Sequence, residues 1–234
     1  MPCIATKRPA TQRTKEESMR KVTATLVGRS PYSPSRYHGT PKLNKENALD
    51  YSHRTWREHC TYEKGTDKET GESINIIAIP AMAIKMGLDT AAGKLKDKAK
   101  GRKEWTSYFV SGVAPAEQCF SLGIDLSTID FIDIWANSDG VRGSGKRVMR
   151  RYPVIPKWSA PISLDILDDS IPEDVIERYL TEAGNLVGIG RFRPEKGGFN
   201  GRFLVEDFSC AEVELIRRVS VEANGERKRI RVTL

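Results

Sequence analysis

Two stretches far apart in the chain alternate apolar and polar residues, and they constrain the fold more than any other feature. In KVTATLVG (21–28), Val22, Ala24 and Leu26 share one face; in APISLDIL (160–167), Ile162, Leu164 and Ile166 do. A period of two belongs to a strand with one buried face, so an all-helical chain is excluded. Ile74–Ile79 is a further short apolar run, and Trp105–Val113, Ile129–Trp135 and Phe203–Phe208 read as strands.

Helical spacing takes over in two places. Pro80 suits the first position of a helix, and within Met82–Leu95 the residues Ile84, Leu88, Ala91, Ala92 and Leu95 fall on one face. Gly87 and Gly93 inside it imply close packing against a neighbour. Pro172–Ala183 reads as a second helix, capped by Ser170 with Glu173 three residues on and ended by Gly184. Residues 37–72 form a polar insertion of loops with a short hairpin. Residues 209–234 read as a C-terminal hairpin turning at Asn224-Gly225. The order resembles βαββαβ. The expected fold class is therefore α+β, a ferredoxin-like core with long insertions, in a single domain over 21–234 behind a flexible basic arm at 1–20. That fold hosts many functions and decides none.

The 234 residues carry a net charge of +7, too small an excess to name a partner by its size. Its placement says more. Residues 1–21, 94–103 and 141–158 each hold six basic side chains, against two, one and no acids respectively. Acids gather instead in 165–182. Basic segments interleaved with Tyr152 and Trp158 suit a single strand of RNA or DNA, whose phosphates they would follow and whose bases the rings would stack.

Other classes fall away. No apolar run approaches the ~18 residues of a membrane span, and no apolar segment follows the basic N-terminus, so a cytoplasmic protein is expected. Cys3, Cys60, Cys119 and Cys210 form no C-x-x-C pair. His53, His59 and Cys60 lack a fourth ligand at a recognisable spacing, so neither metal nor cofactor is expected. Gly140–Lys146 (GVRGSGK) fits the first seven positions of a P-loop. However, Arg147 stands where the magnesium-holding Ser/Thr would be, and Pro153 and Pro156 come too soon for the helix.

The strongest local signal is GIGRFRPEKGGFNGRF (188–203). Its glycines, among them Gly190, Gly197 and Gly198, permit close backbone approach, and bare N–H groups could cradle phosphate oxygens. The alternative is a tight irregular connection whose arginines face water. The expected nucleic-acid contacts are Lys85, Arg142, Lys146, Arg147, Arg150, Arg151, Arg191, Arg193, Lys196 and Arg202, with Tyr152 or Trp158 stacking on bases. His38 is the one catalytic candidate, as a general acid/base for metal-independent RNA cleavage, although no second histidine pairs with it by spacing.

Three segments in order, VTATLVGRSPYSPSR, IPAMAIKMGLDTAA and GIGRFRPEKGGFNGRF, resemble the RAMP superfamily of RNA-binding CRISPR proteins. Within it the chain is similar to the backbone subunit that coats guide RNA, either as a CRISPR subunit or as a stand-alone relative carried by a phage or mobile element. The resemblance spans about 21 to 208. It implies a modified RNA-recognition fold with Pro80–Lys85 facing the nucleic acid, 137–158 as a thumb-like hairpin, and Gly188–Gly201 as the family's glycine-rich loop. It also implies sequence-tolerant backbone contacts and side-by-side assembly as a homo-oligomer or filament, with other nucleoprotein-complex subunits as partners. A metal-independent endoribonuclease and a protein-interaction decoy are the alternatives.

Overall fold

The alternation at 21–28 becomes β1, Ser18–Gly28. The computed structural model describes residues 18–67, 71–99, 101, 103–137 and 145–214. After β1 come α1 (Ala48–Thr55), β2 (Thr61–Thr66), β3 (Ser73–Pro80), α2 (Ala81–Leu95), α3 (Trp105–Gly112) and β4 (Val113–Pro115). The chain continues through β5 (Cys119–Asp125), β6 (Asp130–Asn137), β7 (Arg147–Val154), β8 (Ser159–Ile166), α4 (Glu173–Glu182) and β9 (Phe203–Glu214).

β1 lies inside a four-stranded sheet ordered β4-β8-β1-β9, with every neighbouring pair antiparallel. Val22 stands opposite Leu164, Ala24 opposite Ile162 and Leu26 opposite Ala160, so both alternating stretches turn their apolar faces the same way. Those side chains are buried, each large aliphatic being worth roughly 1.5–3 kcal/mol. Ile84, Leu88 and Ala91 of α2 join them in one core with Ile176, Tyr179 and Leu180 of α4. The fold is α+β, as its alternating and helical periods imply. Two smaller sheets, β2-β3-β5 and the β6–β7 hairpin, complete it.

Trp105–Val113 is not a strand. Its β-prone residues form α3, because Trp105, Tyr108, Phe109 and Gly112 recur at helical spacing. Trp105 meets Tyr108 across 5.3 Å, and the fully buried Phe109 stacks on Tyr179 of α4 at 4.7 Å. Pro80 is the N-cap of α2 rather than its first residue. Ser170 does not cap α4: its amide and hydroxyl both donate to Asp168 Oδ1, in a turn ahead of the helix. Nor does Gly184 end that helix. The chain runs on through a π-turn over Ala183–Val187 and stops at Gly188. Gly87 approaches Ala183 at an ordinary 3.9 Å and Gly93 has nothing within 4 Å, so close packing explains neither.

The polar insertion is more ordered than its composition implies. Asn47 caps α1 by accepting from the amides of Leu49 and Asp50. No hairpin lies wholly within 37–72 among the described residues: β2 pairs instead with β3, which begins at Ser73. Ser52 of α1 reaches β7, where its hydroxyl donates to the Arg151 carbonyl and accepts from the Arg151 amide. The segment expected as a thumb at 137–158 supplies β7, which pairs with the earlier strand β6. Arg142 and the rest of the expected 209–234 hairpin lie outside the described residues, whereas 209–214 continue β9 rather than open a new strand. Lys146 leads into a strand rather than a helix, which removes the P-loop.

Candidate nucleic-acid interface

The glycine-rich segment is folded against Pro31–Ser33. Gly201 donates to the Pro31 carbonyl and Arg191 to the Ser33 carbonyl. Gly190, at φ +75°, would place a Cβ 2.4 Å from that same Ser33 oxygen. The amides of Gly188, Ile189, Arg191, Lys196, Gly197, Gly198, Asn200 and Gly201 all donate to carbonyls of the protein. These N–H groups are not free to cradle phosphate. The glycines let the segment pack tightly in place, and what it presents outward is mainly side chains.

One of those side chains lines a cleft of about 370 Å³ with the 35–38 segment, α1 and β7. Its walls carry Arg36, Arg150, Arg151 and Arg191, the imidazoles of His38 and His59, and the phenols of Tyr37, Tyr51 and Tyr152. No carboxylate lines it among the described residues. The Arg191 guanidinium lies over the Tyr152 ring at 4.2 Å, and its Nε has no hydrogen-bond partner among the described residues. A file of rings crosses the cleft. Tyr152 meets His59 at 5.9 Å, His59 meets His38 edge-on at 4.6 Å, and His38 meets Tyr51 at 6.2 Å.

His59 is fixed from behind: Nδ1 sits 3.0 Å from the Arg36 carbonyl, to which it donates, while the Arg36 amide donates to the His59 carbonyl. Burial pulls the His59 pKa down to about 4, and Arg191, His38 and Arg150 push the same way. The ring is neutral at physiological pH. Burial also lowers the Arg191 pKa; Tyr152 opposes and Arg150 adds to it, yet a guanidinium keeps its charge.

The other expected contacts divide. Lys146 and Arg147 are exposed where β7 begins, with Arg147 opposite Asn137 at the end of β6. Arg202, half-buried, donates its backbone amide to Ser30. Arg193 is held by Glu195 at 2.7 Å and by the Gly190 carbonyl, and Lys196 is 3.2 Å from Glu195. Arg151 lines the cleft but is paired with Asp133 at 2.8 Å and stacked on Phe131.

Three expectations are corrected by burial. Lys85 is buried, bonding Asp89 and the Phe109 carbonyl, and so ties α2 to α3 rather than meeting a ligand. Trp158 is a core residue whose Nε1 donates to the Ser30 carbonyl. Tyr152 is buried too, under Arg191, His59 and Phe192, so it organises the cleft and stacks on no base. Conversely, the sequence reading passed over Arg36 and Tyr37 and weighed His59 only as a metal ligand. His38 does have a second histidine beside it.

The open face of the large sheet has the opposite character. A groove over Thr23, Thr25 and Ser163 is lined by Glu63, Glu117 and Asp207, with no basic residue among its described walls. Cys119 donates to Glu63 there. This face is acidic where the arginine cleft is basic.

No family model matches the sequence, and no curated protein matches it. Among solved structures, a chain of the Type III-B Cmr-beta complex bound to cognate target RNA aligns with a TM-score of 0.47 and 13% identity. The alignment covers 82% of this chain but only 61% of that one. A chain of a Type IV-B CRISPR complex gives 0.43 and 12%, covering 91% and 95% of the two chains. Cmr6 from Pyrococcus furiosus gives 0.40 and 11%, covering 80% and 98%. Among the described residues no helix is long and apolar enough to cross a membrane.

Proposed function

We propose that this protein binds single-stranded nucleic acid without sequence preference, RNA ahead of DNA, and that it is a RAMP-like protein. The carrying observation is the arginine cleft, which gathers four guanidiniums and excludes carboxylates. A phosphodiester is the common ligand that satisfies several guanidiniums at once, through charge-assisted hydrogen bonds to its oxygens. Tyr37, 90% exposed at the rim, is free to stack on a neighbouring base. The preference for RNA rests on the resemblance in the three sequence segments. In this reading β1, α2, β4, β8, α4 and β9 are a ferredoxin-like core, supported by the strand order β4-β8-β1-β9. The β6–β7 hairpin is its thumb, and neighbouring copies or other nucleoprotein subunits assemble alongside.

Anisotropy titration with a labelled single strand of roughly 30 nucleotides tests this, over a salt series. Three or four neutralised phosphates give log K against log salt a slope of roughly −2 to −3. No affinity at low salt, or a salt-independent affinity, would sink the proposal.

A second reading is a metal-independent endoribonuclease, favoured by the His38–His59 pair. With Nδ1–H held by the Arg36 carbonyl, His59 keeps a lone pair on Nε2 that can serve as a base beside bound phosphate. Incubating labelled RNA in chelator separates the two. Intact RNA removes the enzyme, whereas cleavage that disappears with His59→Gln establishes it.

A further inference from the structure

We infer that filling the arginine cleft with a phosphate is coupled to proton uptake by His59, the ring beside His38, so that binding strengthens as the pH falls. This rests on the cleft being the phosphate site. The geometry that carries it is the edge-on contact of the two imidazoles at 4.6 Å, inside walls that hold four guanidiniums and, among the described residues, no carboxylate. Facing His59 are Arg36 and His38 from the 35–38 segment, Tyr51 from α1, Arg150 and Tyr152 from β7, and Arg191 from the glycine-rich segment. Its own turn adds Arg57 and Glu58. The charged groups that act on it most strongly, Arg191, His38 and Arg150, are all basic.

A proton on His59 is therefore opposed by burial and by the neighbouring basic groups, with only the Arg36 carbonyl at Nδ1 favouring it. A phosphate reverses that balance. Its negative charge offsets the guanidiniums, and a protonated Nε2 gains an acceptor, as does the His38 Nδ1, which has no partner among the described residues. The bound form then holds a proton that the free form lacks. Linkage fixes the sign: affinity rises as pH falls through the bound-state pKa and levels off once the free protein is protonated, near pH 4. The chain has three histidines, and burial raises Cys60, Cys119 and Cys210 above the working range. His53 stands apart, 4.0 Å from Asp133.

The test is a titration with oligouridylate, which does not itself titrate between about pH 5.5 and 8, paired with calorimetry in buffers of different ionisation enthalpy. Wild type should bind about 3- to 10-fold more tightly at the acid end, with net proton uptake on binding. His59→Gln should flatten the profile, and His53→Gln should keep the wild-type slope. Far-UV circular dichroism confirms folding at each pH. It is needed because a histidine held neutral by the fold costs stability as pH falls from about 6.5, where the unfolded chain takes up its proton. Binding with a flat profile in wild type, or an unaltered slope in His59→Gln, overturns the coupling and leaves the phosphate site standing. No binding at any pH overturns both.

Discussion

Replacing Arg191 by Met is expected to weaken binding of single-stranded RNA by about 10- to 100-fold, while the protein stays folded. The magnitude follows from what is removed, a charge-assisted contact to phosphate worth about 1.5–3 kcal/mol. Arg191 is placed for that contact. Its backbone is pinned to Ser33, its guanidinium lies flat on Tyr152, and no carboxylate in the cleft wall competes for it. Methionine retains an apolar stem against the ring, so the stability loss is limited to the cation–π contribution, roughly 0.5–2 kcal/mol. Arg191→Lys should recover only part of the affinity, because an ammonium neither stacks nor forks. Arg193→Ala is the informative contrast. That side chain is engaged by Glu195 and the Gly190 carbonyl, so its removal should change affinity little. Anisotropy titration of the three variants beside wild type decides the matter, and an Arg191→Met protein that binds like wild type would falsify the assignment.

The largest stability effect is expected at Gly201. A Cβ there would stand 1.9 Å from the Ile189 carbonyl oxygen, on a backbone with φ +70°. The oxygen belongs to the main chain and a Cβ is fixed by it, so neither can swing aside, and the hydrogen bonds from Ile189 to Gly201 and from Gly201 to Pro31 run through the same point. Gly201→Ala should cost upwards of about 3 kcal/mol, in the range of strained or overpacked sites. Because this packing positions Arg191, RNA affinity should fall with it. Gly93 makes the opposite case. It lies inside α2 with nothing within 4 Å of its missing Cβ, so Gly93→Ala should stabilise by about 0.5–1 kcal/mol. Denaturant unfolding of both variants measures the pair; equal effects would contradict the packing described for the loop.

What could be read from the sequence was whatever a local period encodes. The faces of β1, β8 and α2 needed only alternation or helical spacing, and the residues named for them are buried or partly buried. Trp105–Val113 shows how such reading fails. Its aromatic and β-branched content favours a strand, while the spacing of Trp105, Tyr108, Phe109 and Gly112 is helical, and burial of Phe109 against Tyr179 settles the competition. The cap on α1 was visible in Asn47 and Asp50 but lay within a polar stretch. The site was harder, because its character depends on partners distant in the chain. Nothing in GIGRFRPEKGGFNGRF says that its amides are satisfied by Pro31 and Ser33. Nothing local to His38 says that the Arg36–His59 backbone pairing brings a second imidazole to it.

The contact between Ser52 and β7 has a consequence for how the hairpin behaves among other molecules. An unpaired strand edge is a template for indiscriminate addition of foreign strands, which is one origin of aggregation. The β6–β7 hairpin is exposed to that hazard, with Phe131, Ile132 and Trp135 all open to solvent. On the β7 side, one hydroxyl occupies both the amide and the carbonyl of Arg151. The polar insertion thus acts as a guard rail: it denies that edge to stray chains while leaving the arginines beside it accessible.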